Sequence, residues 1–541
     1  MARPGPVLLV AGLALAAPRA AQHASAGAVL ERGRWEAPFQ HDLAGFDPAP
    51  ERFNAVHMAL VPRGPRRGQV LVWDFDKENQ TPLWRQRWAL LDVSQADQPA
   101  SFTNGELVLP PDGGDFFCAG QAWTADGELL VAGGTALYPH AQGGATRDDE
   151  HGYHGGKLVY LFDPTADPGE AWRRQPDLAV ERWYPSVTLL DTDELVIAGG
   201  LAEAGDSHND YEVFHKRTGP GALLPAEITR FPGPPAPADP LGLYPRLHQL
   251  ASGAQFLSGM WGISSRMEHD AAPGAWTVTD AAAWMLRGYG CSLLAPRRPN
   301  EPERLWTLGG EVLPPVGEPL ITASMEECEP GAAGAPGWDW HTLPSLHVAR
   351  TEANAVLLPD ATVLVVGGRT SRLEPETFTT VPELFDGQRW RRMASGATAR
   401  TYHSTAVLLP DGRVLTGGGN TATWDYQVFA PPYVGSPLRP RITSAPGTLA
   451  YSASAPAPVE ATFTLAAGES VARVVLMAPG ATTHHSDSSQ RYVELVVTGV
   501  GPTSVAFQGP PNSSHAPRGF YLLFLVSARG MPSVARWVEL R

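Results

Sequence analysis

Short apolar runs separated by polar turns recur along most of the chain, and this pattern predicts β-hairpins rather than helices. The clearest copy spans 405–420: an apolar run, the turn Pro410-Asp411-Gly412, a second apolar run and a cluster of glycines. Six further stretches follow the same plan, beginning near Phe53, Phe117, Arg182, Leu243, Tyr289 and Arg350. The first of these is the weakest, and the turn of the fifth is lengthened by residues 297–302. Several close on paired glycines, such as Gly133-Gly134, Gly199-Gly200 and Gly367-Gly368. Such a pair is expected where a second strand ends in a tight bend.

The copies recur every 45 to 66 residues or so, which fits kelch-type repeats of about 50 residues per four-stranded blade. The expected fold is all-β: a seven-bladed kelch β-propeller over 27–437, then a second domain. In a propeller the first strand of each blade lines the central axis. The heads of the hairpins therefore converge in space although they lie far apart in sequence. After Asn420 the pattern stops, and prolines crowd the joint at 429–441. Short alternating runs follow at 459–465, 471–477, 491–500, 504–508, 520–527 and 534–540. They read as an immunoglobulin-like β-sandwich over 438–541. One of its loops, 481–491, carries His484 and His485.

Composition narrows the function. The chain has 541 residues, 43% hydrophobic and only 18% charged, with 56 glycines and 52 prolines. That is a turn-rich globular protein with room for a large core. A formal charge of −15 argues against nucleic-acid or anionic-membrane partners. Residues 1–26 read as a secretory signal, with Arg3, an apolar run over 7–17 and the small residues Ala24-Ser25-Ala26. No later stretch is apolar for long enough to cross a bilayer, so a secreted, extracellular monomer is expected. Its three cysteines are Cys118, Cys291 and Cys328. Cys291 and Cys328 could pair, which would leave Cys118 over.

Candidate chemistry sits at the hairpin heads. Cys118, Tyr184 and the pair Tyr402-His403 stand there, and His484 lies in the later loop. Cu(II) favours tetragonal sites of nitrogen and oxygen ligands, and two imidazoles with tyrosine oxygens meet that need. Neighbours on a regular strand face opposite ways. Tyr402 and His403 can share a metal only if the backbone is irregular there.

Four motifs carry a resemblance: Phe117-Cys118-Ala119-Gly120, Arg182-Trp183-Tyr184, Arg400-Thr401-Tyr402-His403-Ser404, and Thr483-His484 followed by Gln490-Arg491. In this order, and with the ending 519–535, they resemble the galactose oxidase and glyoxal oxidase family of copper-radical oxidases over nearly the whole mature chain. The resemblance implies a thioether cross-link between Cys118 and Tyr184, with Tyr184 both a metal ligand and the seat of a stored radical. It makes Tyr402 the axial tyrosine that takes the substrate's proton, and His403 and His484 the equatorial ligands. His485 is the alternative to His484, which is preferred because its spacing to Gln490-Arg491 matches the motif. One copper ion and the protein-derived Cys118–Tyr184 cofactor would then oxidise a small alcohol, aldehyde or carbohydrate and reduce O₂ to H₂O₂.

Two departures stand out. The stretch between residue 27 and the first repeat is too short for the N-terminal sugar-binding sandwich that galactose oxidase itself carries. The tryptophan expected to shield the cross-link shortly after Gly199-Gly200 is replaced by Leu201-Ala202. Trp261, just after the fourth repeat, is the candidate substitute.

Taken singly, each residue has a plainer reading. A lone cysteine such as Cys118 is usually a buried small hydrophobe, Tyr184 a strand aromatic and His484 a solvated loop residue; their joint order and context weigh against this. A rival cluster of His140, His151 and His154 reads as a polar rim loop. Two other function classes remain open: a non-catalytic extracellular kelch protein that binds glycans or a protein partner, and a hydrolase or lyase on a propeller scaffold. No phosphate loop, Ser-His-Asp signature or heptad pattern stands out.

Overall fold

The apolar runs become strands of antiparallel sheets in the computed structural model. The structure describes residues 31–541 except 45, 47–51, 75–84, 95–98, 111–113, 138–152, 203–206, 217–225, 235–240, 259–262, 269–275, 283–286, 313–318, 331–339, 374–375, 421–423 and 455–456. Residues 1–26, His140, His151 and Trp261 lie outside the described residues. Among the described residues, seven sheets of four or more strands follow one another up to Ala430, along with two small two-stranded sheets. A representative one runs Ser186–Leu189, Leu195–Ala198, Asp210–His215 and Glu227–Pro232 from the inside out. The second strand, Leu195–Ala198, is buried throughout, whereas the outermost, Glu227–Pro232, is exposed or half-buried at every position. Sheets packed face to face need apolar residues on both sides of the inner strands, which is why those runs lack polar alternation.

Two sheets recruit distant chain. The last is built from Ser404–Leu408, Val414–Gly418 and Asp425–Ala430, and the N-terminal strand Arg34–Trp35 completes it, with Trp35 opposite Phe429. This two-residue strand is too short to leave a pattern. The first sheet, led by His57–Leu60, takes the hairpin Ala481–Thr483 and Ser486–Asp487 on its inner edge, with His57 opposite Thr483. The rest of the C-terminal chain forms two sheets. One is Arg441–Ser444, Val459–Thr464, Ser504–Phe507 and Val497–Val500; the other holds Val471–Met477, Tyr492–Leu495, Gly519–Ser527 and Arg536–Leu540. The observed class is the expected one, a β-propeller followed by an immunoglobulin-like sandwich.

Cys291 and Cys328 do not pair. They sit in one sheet, on strands Cys291–Leu294 and Met325–Cys328, with Leu305–Leu308 between them, and both are free thiols. Cys291 lies opposite Leu308 and Cys328 opposite Leu305, at the two ends of the intervening strand.

The heads of the hairpins share one irregular conformation. Cys118, Tyr184, Tyr244, Tyr289, Glu352 and His403 all have positive φ, between 43° and 67°, a region that side-chain-bearing residues seldom enter. Hydrogen bonds link successive heads: the amide of Tyr184 donates to the carbonyl of Cys118, that of Tyr244 to Tyr184, and that of Glu352 to Tyr289. The paired glycines complete the join. The amide of Gly368 donates to Arg400 O in the next sheet at 2.7 Å. At Gly367, with φ of 74°, a Cβ would stand 2.5 Å from that same oxygen.

A buried arginine precedes most of these heads. Arg182, Arg287, Arg350 and Arg400 are almost wholly inaccessible. Arg350 donates to Gly367 O at 3.1 Å and to Glu383 Oε1 at 2.6 Å. Arg182 makes the same bonds to Gly199 O and to Asp210 and Glu212, Arg287 to Gly309 O and Glu326, and Arg400 to Gly418 O and Asp425. Each guanidinium thus fastens the head of the first strand, the end of the second and a carboxylate on the third. Removing one member of such a pair strands the other charge in the core, at a cost of about 3–5 kcal/mol. Arg350→Ala should lower the unfolding free energy by an amount in that range, and Arg350→Met with Glu383→Leu should recover part of the loss. Urea unfolding followed by circular dichroism checks both.

Candidate metal centre

The heads of the second, third and last sheets and the hairpin from the C-terminal domain meet at the axis. Cys118, Tyr184, Tyr244 and Phe117 form one buried cluster, with Trp183 and Tyr402 packed against it. Cys118 Sγ lies 3.6 Å from His484 Nε2. That sulfur, a ring nitrogen of His403 and one of His484 all fall within 4.8 Å of one another. The hydroxyls of Tyr184 and Tyr402 are in short contact, and the Tyr184 hydroxyl also reaches the Cys118 thiol. Cys118, Tyr184, Tyr402, His403 and His484 are therefore brought together, from four places in the chain.

The irregular backbone makes this possible. His403 has φ of 67°, so Tyr402 and His403 escape the alternation of a strand and their rings lie 4.0 Å apart. His484 and His485 likewise have φ of 47° and 65°, in the two-residue turn between Ala481–Thr483 and Ser486–Asp487. Of the two, His484 faces the sulfur. His485 is buried with its ring 5.7 Å from that of Tyr402, and neither of its nitrogens is hydrogen-bonded.

Both imidazoles are held through their far nitrogens. His403 Nδ1 bonds Asn420 Oδ1 at 2.7 Å, and His484 Nδ1 bonds Thr483 Oγ1 at 2.7 Å. Thr483 Oγ1 in turn donates to Val56 O at 3.0 Å. Such partners fix ring orientation and leave Nε2 as the ligand atom. Burial, with His403 and His57 nearby, drives the His484 imidazole far below its ordinary range, so it stays neutral. Burial also pushes the Cys118 thiol and the Tyr184 and Tyr402 phenols well up. Two pre-oriented imidazoles beside two phenol oxygens are a nitrogen–oxygen donor set, which fits Cu(II).

The ring over Tyr184 is Trp183. The two are stacked with centroids 3.8 Å apart and planes at 13°, while Tyr244 covers the other face at 4.6 Å. Trp183 Nε1 donates to Thr135 Oγ1 at 3.1 Å, and Tyr153 stacks on its outer side at 4.8 Å. Sequence reasoning looked past Trp183 because adjacent strand residues face opposite ways; the positive φ of Tyr184 cancels that rule. Tyr244 and Asn420 were missed too. The place of Tyr244 in its repeat, equal to that of Tyr184 in the preceding one, was the available signal. Beyond Tyr402 the ring continues with Tyr289, edge-on at 5.7 Å, and with Glu352, which pairs with Arg369 and Arg372. His154 lies in the short strand His154–Gly155, apart from this cluster.

A β-propeller with a hairpin from the C-terminal chain carrying His484 beside His403 is what the resemblance to the copper-radical oxidases implies. Family comparison agrees. Residues 439–540 match the galactose oxidase-like early set domain, and residues 332–433 match the glyoxal oxidase N-terminus. A galactose oxidase of Gibberella zeae is 26% identical over 516 residues, covering 90% of this chain and 69% of that protein. The aldehyde oxidase GLOX of Vitis pseudoreticulata is 25% identical, covering 79% of this chain and 82% of that one. A fungal alcohol oxidase of the AA5 family, solved in complex with copper, shares the fold with a TM-score of 0.70 at 22% identity, covering 94% of this chain and 99% of that one. This chain is therefore similar to galactose oxidase-like and glyoxal oxidase-like proteins over most of its length.

The buried phenols give a direct test of the geometry. Tyr184, Tyr244, Tyr402, Tyr426 and Tyr433 are all held protonated well beyond the ordinary range by burial. In a spectrophotometric titration of the metal-free chain they should stay protonated at about pH 10, where a free phenol ionises, and should ionise only with unfolding. Tyr184→Phe and Tyr402→Phe should each remove one phenol from that unfolding step.

Proposed function

We propose that the chain is an exported mononuclear copper-radical oxidase that oxidises a primary alcohol or an aldehyde with O₂ and releases H₂O₂. The observation that carries this reading is the contact between the Tyr184 and Tyr402 hydroxyls beside His403 and His484. The seven sheets up to residue 430 are read as the seven blades, and the division from the C-terminal domain is placed near 437. His403 and His484 hold the metal with Tyr184 and Tyr402, and copper bound there supplies one of the two electron acceptors the oxidation needs. The balance is a primary alcohol plus O₂ giving aldehyde plus H₂O₂, or a hydrated aldehyde giving the acid.

The chain's own residues divide the remaining work. Tyr184, joined to Cys118, is the second electron acceptor: sulfur donates density to the phenol ring and eases its one-electron oxidation. The thiol's place beside the Tyr184 hydroxyl supports such a bond, which would form at the ring carbon next to that hydroxyl. Trp183 and Tyr244 close both faces of that ring, which keeps water and reductants from the radical. Tyr402 takes the substrate's hydroxyl proton. Burial makes its phenolate a strong base, since a buried phenol holds its proton tightly.

Two measurements separate these roles. After copper loading in air, the intact mass should fall by two hydrogens, with the missing pair mapped to a Cys118–Tyr184 peptide. Cys118→Ser should bind copper, keep its full mass and lack a stable radical. Tyr402→Phe should keep the cross-link yet lose turnover about 10²–10⁴-fold, the usual worth of a positioned base. An unmodified mass in the active native enzyme would remove Cys118 from the mechanism.

Asn420→Ala frees His403 Nδ1 and should weaken copper binding by about 10–100-fold, as read by competition with a chelator. Copper affinity equal to that of the native chain would mean that His403 is not a ligand.

A further inference from the structure

Beside the axis lies a cluster that the oxidase reading leaves unused. Trp73, Trp88, Trp123 and Trp172 pack there with Phe116, Tyr160 and Phe162. A buried indole N–H normally finds an acceptor. Trp35, Trp183, Trp306, Trp340 and Trp390 each do so. The indole nitrogens of Trp73, Trp88, Trp123 and Trp172 have none among the described residues. Four unsatisfied indole N–H groups in one cluster, when these five other indoles find acceptors, call for a reason.

The rings also form a row that starts at the metal centre. The His484 ring lies 5.9 Å from that of His57, and His57 stacks on Trp73 at 4.5 Å with planes at 10°. Trp73 meets Trp172 edge-on at 6.1 Å, and Trp172 lies 5.3 Å from Phe116 and 6.4 Å from Trp88. His57 Nδ1 is fixed by Gln121 at 2.9 Å. In the fold the row runs outward. It leaves the inner strand His57–Leu60, crosses its neighbour Val70–Trp73, and ends on Trp172–Arg174, the outermost strand of the adjacent sheet. Trp73 is fully buried, whereas Trp172 is 9% exposed.

We propose that this row is a one-electron path between Tyr184 and the outer edge of the propeller, by which a high-potential oxidant outside the protein generates the radical. The path rests on the oxidase reading above. Hexachloroiridate(IV) at the outer strand takes one electron from Trp172 and becomes hexachloroiridate(III). The hole passes to Trp73 and then, across His57 and His484, to the ring of Tyr184. Bound as a phenolate, Tyr184 loses one electron, has no proton to release, and becomes the phenoxyl radical. The missing acceptors matter here. An indole radical cation is a strong acid, and a hydrogen-bonded acceptor would take its proton and trap the hole. An indole with no acceptor keeps its proton and passes the hole on.

The test mixes copper-loaded full-length chain with hexachloroiridate(IV) and follows phenoxyl absorbance by stopped flow. Trp73→Phe and Trp172→Phe should each reach the native amount of radical several-fold more slowly at unchanged copper content, while Trp390→Phe matches the native rate. One rate in all four proteins overturns the path alone; a native chain that forms no radical overturns the path and the oxidase reading together. A second measurement needs no variant to fold. After brief exposure of the native chain to excess oxidant, peptide mapping should find oxidised Trp172 and Trp73 ahead of Trp306, Trp340 and Trp390, which are 3%, 4% and 5% exposed. The reverse order overturns the path.

Discussion

The axis of this protein depends on the buried arginine that precedes most hairpin heads. A guanidinium presents donors in a planar fork, and here the fork reaches a glycine carbonyl on the second strand and a carboxylate on the third. With those bonds made, the first strand cannot begin in a regular conformation. The residue two places on, or three in the last sheet, enters the left-handed region and turns its side chain to the centre. The positive φ is a local cost that the surrounding bonds sustain. Scaffold and chemistry are therefore separable. The arginine and the glycines recur, while the head itself is free to be Cys118, Tyr184, Tyr244, Tyr289, Glu352 or His403.

Burial then tunes what the heads present. The protein carries a strong negative charge overall, yet Tyr184, Tyr402, His403 and His484 meet in a buried centre where Glu352, the acidic head, is paired with Arg369 and Arg372. Desolvation disfavours ionised forms there. The His484 imidazole stays neutral and ready to bind a cation, and the phenols keep their protons until a cation replaces them. The same exclusion of water lets aromatic faces do the packing, so Tyr184 is covered by Trp183 and Tyr244 rather than by polar groups.

Much of this was legible in the sequence. Repeated apolar runs with paired glycines point to the hairpins, and the alternating runs after residue 442 mark most strands of the C-terminal sandwich, although 491–500 divides into Tyr492–Leu495 and Val497–Val500 in different sheets. Propeller geometry makes a site from Cys118, Tyr184 and Tyr402-His403 conceivable, and the family resemblance singles these out together with His484. Pairwise geometry was not legible. Trp183 escaped notice because a period-two rule fails at a positive φ, and the closing strand Arg34–Trp35 because two residues carry no period. Cys291 and Cys328 looked like partners only while the strand between them was unknown. Trp261, the sequence-based choice for the shielding ring, belongs to the undescribed residues, and the stacking position is filled by Trp183.

The hairpin that carries His484 joins a sheet whose next strand begins at His57, while Arg34–Trp35 waits for a partner strand at Asp425–Ala430. Contacts of such long range form late in folding. A ribosome releasing this chain has produced Cys118, Tyr184 and Tyr402 well before the residue that completes their surroundings. An interrupted or truncated product keeps the tyrosines and the thiol but not the second imidazole. If His484 holds the metal as proposed, oxidative power is tied to the integrity of the whole polypeptide, and a copy cut short before that residue is inert rather than hazardous.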